Sequence, residues 1–238
     1  MPRRLQLAAR YQYERWRGLI ERELPLFCSQ INRHDVVVDV GANVGIYVHA
    51  LRKRGAIVEA FEPQPACSAI LQAYATVDPA VHVHPVALGS AVSKARLSVP
   101  IEHGRLARGS ATMRTVSGTV GEITDVDVRT LDSFEFERVD AIKIDVEGAE
   151  LDVLRGATAT LRRARPLLLV EIEQRHHAAS IEGVFTWLED MDYEGQVLLP
   201  GRGLRPTRDF DPEEHQQLDE DGRPTATYVN NFLFRVRR

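Results

Sequence analysis

Carboxylates recur where apolar runs end. Asp39 lies near the end of Val36–Val40, Glu62 follows Ala56–Phe61, Asp145 and Glu147 follow Asp140–Ile144, and Glu171 and Glu173 follow Leu167–Val170. A buried carboxylate costs free energy unless it is paired, so stability alone would not select this distribution. Acids so placed suit three tasks: holding a cation, accepting hydrogen bonds from a sugar diol, and moving a proton. Asp145, Glu147 and Glu171 are the candidate catalytic residues. Glu171 and Glu173 alternate along one strand and so face the same way, with Ile172 opposed.

A glycine turn adds a second constraint. Gly41-Ala42-Asn43-Val44-Gly45 connects the first apolar run to a helical pattern. Glycines there let the backbone approach a ligand, and the helix start offers unpaired N–H groups. The spacing is Gly-x-x-x-Gly, not the Gly-x-Gly-x-x-Gly of nicotinamide dehydrogenases. Glu62 stands 21 residues after Gly41, at the end of the second run, where a carboxylate accepts hydrogen bonds from a ribose diol. Together the two features predict an adenosine-bearing ligand across the first two strands. Asp39 discriminates further. An acid there would repel a pyrophosphate but suits the sulfonium and ammonium of S-adenosylmethionine, which carries no phosphate.

The elements that must position these groups read as an α/β fold. Val36–Val40 and Ala56–Phe61 are continuous apolar runs, the signature of strands buried on both faces. Val81–Leu88 is a third strand, Asp140–Asp145 and Pro166–Glu173 the fourth and fifth, with helices between them. That alternation means parallel pairing with right-handed crossovers, and ligands then bind outside the carboxyl ends of the strands. Residues 95–100 and 124–131 alternate instead like antiparallel strands, separated by a Gly/Ser/Arg-rich loop over 102–122. One helix is expected from Glu147 to Arg162 and another over 181–191. Two last strands, Gln196–Leu199 and Tyr228–Val236, are expected to pair antiparallel, with a helix start at Asp211-Pro212 between them.

Before the first strand, residues 10–24 read as a helix with Tyr13, Trp16 and Ile20 on one face, and Pro25 starts a second short one. This gives an N-terminal helical cap over residues 1–34 and a main domain over 35–238. The helical part of the cap carries Arg3, Arg4, Arg10, Arg15, Arg17 and Arg22 against Glu14, Glu21 and Glu23, read as a solvated face or one that recruits a partner or substrate. The net charge of −4 disfavours a nucleic-acid partner. The two cysteines, Cys28 and Cys67, lie too far apart in sequence for a zinc knuckle and read as core thiols in a reducing cytosol. There is no secretory apolar region and no run long enough to span a membrane, so a cytoplasmic location is expected.

Taken in order, several segments resemble the FkbM family of S-adenosylmethionine-dependent methyltransferases. They are Asp39-Val40-Gly41-Ala42-Asn43-Val44-Gly45, Phe61-Glu62-Pro63, Thr130-Leu131-Asp132-Ser133-Phe134, Lys143-Ile144-Asp145-Val146-Glu147-Gly148-Ala149-Glu150, Leu154-Arg155-Gly156, Arg165-Pro166 and Val170-Glu171-Ile172, with Asn230-Asn231-Phe232-Leu233-Phe234 near the end. The Asp145–Glu150 block with Leu154-Arg155-Gly156 is the specific part; the glycine turn is shared with most methyltransferases. The resemblance implies a Rossmann-like class I methyltransferase with a seven-stranded, mostly parallel sheet whose last strand is antiparallel. It also implies O-methylation of a hydroxyl on a small metabolite, natural product or glycan. By family position Asp39, Gly41, Ala42, Asn43 and Gly45 hold the methionine end, Glu62 with Pro63 the ribose, and Ala87 the adenine edge. Asn43 replaces the generic methyltransferase glycine, as is normal in that family.

Of Asp145 and Glu147, one is expected to hold the cofactor's ammonium while the other touches the acceptor. Glu150, one turn beyond Glu147, could share that face or solvate its helix. His176 and His177 read as general-base candidates or ordinary loop histidines. A carboxylate cluster can also hold Mg²⁺, but no ligand set is suggested and no metal site is assigned; His82 and His84 read as structural. The expected partner is a small-molecule or glycan hydroxyl acceptor, and homo-oligomer formation stays open. Two other readings stay open: a different Rossmann-like nucleotide-cofactor enzyme, and a non-catalytic cofactor-binding protein.

Overall fold

The computed structural model describes residues 3–17, 20–102, 105–106, 112, 121–177 and 179–237. In chain order the elements are α1 (Arg3–Arg17), α2 (Glu23–Ser29), β1 (Val36–Val40), α3 (Ile46–Arg54), β2 (Ile57–Phe61), α4 (Pro65–Ala75), β3 (Val81–His84), β4 (Ala87–Leu88), β5 (Ser93–Glu102), β6 (Arg105–Leu106) and β7 (Gly121–Arg129). They continue with β8 (Ala141–Ile144), α5 (Glu150–Arg155), α6 (Thr158–Ala164), β9 (Leu167–Glu171), α7 (Glu182–Asp190), β10 (Tyr193–Leu199), β11 (Gly203–Pro206), α8 (Pro212–His215) and β12 (Asn231–Val236).

The main sheet has the order β3-β2-β1-β8-β9-β12-β10-β11. Strands β3 to β9 in that order are parallel, and β12 runs antiparallel to both β9 and β10. The seven strands from β3 to β10 reproduce the expected sheet. An eighth, β11, pairs antiparallel with β10, where the sequence suggested only a polar connection. Gly201 and Gly203, at φ 70° and 71°, reverse the chain directly after β10.

Each face of the sheet buries its own apolar cluster. Val38, Val40, Ile142, Ile144, Leu168 and Val170 face Leu154, Leu161, Val184 and Leu188. Val37, Val58, Ala60 and Leu169 face Val48, Leu51 and Leu71, together with Leu7, Leu24, Phe27 and Ile31 from the N-terminal helices. Asp39 and Lys143 alternate with the first set and therefore point toward the second face.

The structure corrects three expectations. The first helix spans Arg3–Arg17 rather than 10–24, and a turn precedes α2. Its buried anchor is Leu7, while Tyr13 and Trp16, which the spacing places on one face, are 50% and 80% exposed. The third strand divides at Pro85, which has no N–H to donate: β3 stays in the main sheet, whereas β4 leaves it to pair with β7. The helix expected over 147–162 begins only at Glu150, because Glu147 and Gly148 have positive φ, and it breaks at Gly156. A Cβ on Gly156 would lie 2.0 Å from the Gly89 carbonyl oxygen, so the break is also a close backbone crossing.

Strands β5 and β7 form the expected antiparallel insertion. Most of the Gly/Ser/Arg-rich stretch 102–122 lies outside the described residues. Its described part places β6 on β5 and bridges Thr112 to Ser98.

Candidate active site

The carboxyl ends of β1, β2 and β8 enclose a cleft with about 560 Å³ of free space, its mouth included. Its walls include Gly41, Asn43, Phe61, Glu62, Pro63, Ala87, Leu97, Asp145 and Glu147. Gly41 has φ 74°, and a Cβ there would lie 1.8 Å from the Asp145 carbonyl oxygen. The turn can thus pass directly over the end of β8. The Gly41 and Ala42 N–H groups donate to the Phe61 carbonyl, which ties the turn to β2. Gly45, at φ 91°, opens α3, and a Cβ there would overlap Leu7 and Leu71. Asn43 is itself left-handed, at φ 47°, a conformation asparagine tolerates better than most residues.

Glu62 is 2% exposed. One carboxylate oxygen accepts from the Asn43 N–H and the other from the Gln64 N–H, each at 2.7 Å. Burial pushes its pKa up to about 7, against the lowering effect of those two N–H groups. Each oxygen keeps capacity for a further donor, so the geometry suits a vicinal diol.

Behind the turn, Asp39 is fully buried and neither of its carboxylate oxygens has a hydrogen-bond partner among the described residues. Burial pushes it up to about 6 although Lys143 opposes the rise. Lys143 Nζ lies 3.7 Å from Asp39, donates to Asp145 at 3.0 Å and to the Gly41 carbonyl at 3.4 Å, and sits over the Tyr47 ring. Burial alone would lower the Lys143 pKa, but Asp145, Asp39 and Glu21 together raise it above the usual lysine value. Tyr47 donates to Glu21 at 2.5 Å. Burial is the main cause that raises the Glu21 carboxyl.

On the other side of Asp145 the acids form a second group. Glu147, at φ 53°, points its carboxylate to His176 Nδ1 at 2.8 Å. Burial raises the Glu147 pKa. Burial by itself would lower His176, but Glu147 and Glu173 raise it. The Asn230 amide donates to both Glu171, at 2.6 Å, and Glu173, at 2.7 Å. The two acids therefore face one group, as their alternation predicts. Burial, followed by the charges of Asp145 and Glu21, raises Glu171 well above the usual carboxylate range. Burial would also raise Glu173, but the Arg175 guanidinium and the Asn230 amide hold it low. Thr112 Oγ1 donates to the Glu147 carbonyl at 3.0 Å and so ties the insertion to this group.

The structure thus brings Asp39, Gly41, Ala42, Asn43, Gly45, Glu62, Pro63, Ala87, Asp145, Glu147 and Glu171 to one edge of the sheet. Glu150 does not join them. It accepts from the Gly148 N–H and lies 2.9 Å from His177, so of the two adjacent histidines only His176 meets Glu147. His82 and His84 both meet Glu59, away from the cleft, at 2.6 and 2.7 Å. Sequence reasoning missed Lys143, Tyr47, Glu21 and Asn230 as members of the site. Lys143 had a visible signal, a lone cation inside an otherwise apolar strand; the other three did not. Among the described residues no group of three or more His, Cys, Asp or Glu side chains is arranged to hold a metal ion.

Comparison with known proteins identifies the family. A sequence profile described as the Methyltransferase FkbM domain matches residues 39–194. The hexuronic acid methyltransferase AglP of Haloferax volcanii is 31% identical over 154 residues, covering 62% of this chain and 59% of its own. The methyltransferase sdnD of Sordaria araneosa is 29% identical over 153 residues, covering 50% of this chain and 59% of its own. The chain therefore spans about three fifths of the length of the curated relatives it matches. The crystal structure of a methyltransferase FkbM from Methylobacillus flagellatus KT shares the fold over 86% of this chain and 44% of its own, with a TM-score of 0.54 and 19% identity.

Proposed function

The chain belongs to the FkbM methyltransferase domain family, and on that premise we propose that it transfers a methyl group from S-adenosylmethionine to a hydroxyl of a small metabolite or glycan. The observation that carries this reading is Glu62. It is a buried carboxylate whose two oxygens are fixed by backbone N–H groups from the glycine turn and from the start of α4, on the wall of a cleft that Phe61, Ala87 and Leu97 also line. The residues fit that cofactor in a second respect. Asp39, buried beneath the turn 3.7 Å from Lys143 and without a hydrogen-bond partner among the described residues, adds to the acids on that side, which favours a positively charged ligand there. The Haloferax relative is named for a hexuronic acid, which supports a sugar-like acceptor.

When bound, S-adenosylmethionine supplies a methyl carbon made electrophilic by its sulfonium. The chain's part is placement and proton removal. Glu62 with Pro63 holds the ribose, Ala87 borders the adenine, and residues 39–45 carry the amino-acid end. Asp145, fixed by Lys143, faces the ammonium. Glu147 takes the proton of the acceptor hydroxyl, and Glu171, held by the Asn230 amide, faces the acceptor. Residues 1–34 act as a helical cap on a catalytic domain over 35–238. The reading carries no nucleic-acid partner and a cytoplasmic location, and leaves room for a homo-oligomer. No helix among the described residues is long and apolar enough to cross a membrane.

Thermal shift with S-adenosylmethionine, S-adenosylhomocysteine and NADH, followed by transfer of labelled methyl to a panel of uronic acids and glycans, tests the proposal. A ligand at a hundredfold its Kd adds about 2.7 kcal/mol, a rise of several degrees in Tm for a domain of this size. The two adenosyl compounds should produce it. Stabilisation by NADH alone, or by none of the three, would overturn the reading.

A further inference from the structure

We infer that Arg10, on helix α1, holds the carboxylate of the cofactor's amino-acid end, so that the N-terminal helix completes the cofactor site. This inference rests on the reading proposed above and deepens it.

A second cavity opens on the far side of Gly41, beneath α1. Its polar lining is Arg10, Glu14, Glu21, Tyr47, Lys143 and Asp145, and it shares Gly41, Asn43 and Asp145 with the nucleoside cleft. A ligand whose nucleoside fills the first space and whose tail passes Gly41 and Asp145 must enter the second. Tyr47 and Lys143 are 5% and 3% exposed, so the cavity has a built, buried polar floor. Glu14, Glu21 and Asp145 line it, and Asp39 lies behind. This acid-rich wall receives an ammonium well and repels a carboxylate unless a cation answers it.

Among the described residues two cations line the cavity. Lys143 is committed to Asp145, to the Gly41 carbonyl and to the neighbourhood of Asp39. Arg10 remains. Its side chain is more than half exposed and pairs through Nε with Glu14, one turn along its own helix. That pairing leaves the terminal nitrogens of the guanidinium to form a fork on a second carboxylate. The register of the helix is held as well. Leu7, one turn before Arg10, is fully buried, and its Cδ1 fills the space left by the missing side chain of Gly45. The glycine turn that carries the ligand's tail therefore also seats the helix that presents Arg10. One arginine of the basic N-terminal face thus belongs to the cofactor site, where the sequence suggested a solvated face or one that recruits a partner or substrate.

Calorimetry with two ligands separates this role from a structural one. S-adenosylhomocysteine carries the amino-acid end, and 5′-methylthioadenosine lacks it. Against the wild-type protein, Arg10→Ala should bind S-adenosylhomocysteine about ten- to hundredfold more weakly, as for loss of a charge-assisted hydrogen bond. Its affinity for methylthioadenosine and its Tm without ligand should be unchanged, and Arg10→Lys should recover part of the loss. Equal binding of S-adenosylhomocysteine by wild type and Arg10→Ala would overturn the inference, as would equal weakening for both ligands. Failure of both compounds to bind the wild-type protein would overturn the methyltransferase reading itself, and the inference with it.

Discussion

The two halves of the site are built in different ways. Over β1 and β2 the main chain does most of the positioning. Glu62 is held by two backbone N–H groups, the turn N–H groups are held by the Phe61 carbonyl, and Gly41 and Gly45 permit approaches that a Cβ would block. Over β8 and β9 side chains position one another. Glu147 meets His176, and Asn230, the residue before β12, bridges Glu171 and Glu173. The first arrangement suits a ligand that is the same at every turnover. The second can be rebuilt by a few substitutions, as the proposed function requires of the half that meets the acceptor.

The sharpest way to break this contrast is at Gly41. Gly41→Ala forces a left-handed alanine against the Asp145 carbonyl. It should cost about 3 kcal/mol or more in denaturant unfolding and abolish cofactor binding. A midpoint like that of wild type would show that the backbone crossing is not rigid. Next in size, Glu147→Gln should reduce turnover about a hundredfold with little change in S-adenosylhomocysteine affinity. Full turnover removes Glu147 from the proton path, and lost affinity moves it into the cofactor half.

Glu62→Gln should weaken cofactor binding by about 1–3 kcal/mol, and its pH dependence sharpens the comparison. The Glu62 pKa is raised in the fold, from 4.5 to about 7. The unfolded chain therefore loses that proton first, and the group's contribution to stability declines as pH rises from about 4.5 to 7, then levels off. Ribose hydroxyls favour the ionised form, so cofactor affinity should increase as pH rises through 7. Isothermal titration at pH 6 and pH 8 should show this rise in wild type and a flat response in Glu62→Gln; a flat wild-type response would remove Glu62 from the ribose. The smallest effect is expected outside both halves. Trp16→Ser replaces a side chain that is 80% exposed and should change stability by no more than about 0.5 kcal/mol. A larger loss in urea unfolding would mean that the aromatic face of α1 is packed in solution.

This division also explains what the sequence made legible. Strand ends, the glycine turn and Glu62 are local features: a period, a turn residue and a fixed spacing determine each of them. The parallel order of β1, β2, β3, β8 and β9 follows from the same alternation. The half over β8 and β9 depends on contacts between residues far apart in the chain, such as Asn230 with Glu171, and no local pattern encodes them. Lys143 lies between these cases. Its position inside an apolar strand, two residues before Asp145, was readable, but Asp39 joined it only once β1 and β8 were paired. The N-terminal helix misled for a similar reason. The spacing of Tyr13 and Trp16 imitates a buried stripe, yet the face containing Leu7 is the one that packs.

A crystal structure of the complex with S-adenosylhomocysteine tests the central claim most directly. The account predicts the nucleoside between Phe61 and Leu97 with both ribose hydroxyls within hydrogen-bond reach of Glu62. A nucleoside bound elsewhere, or a Glu62 carboxylate that touches no ligand atom, would contradict it.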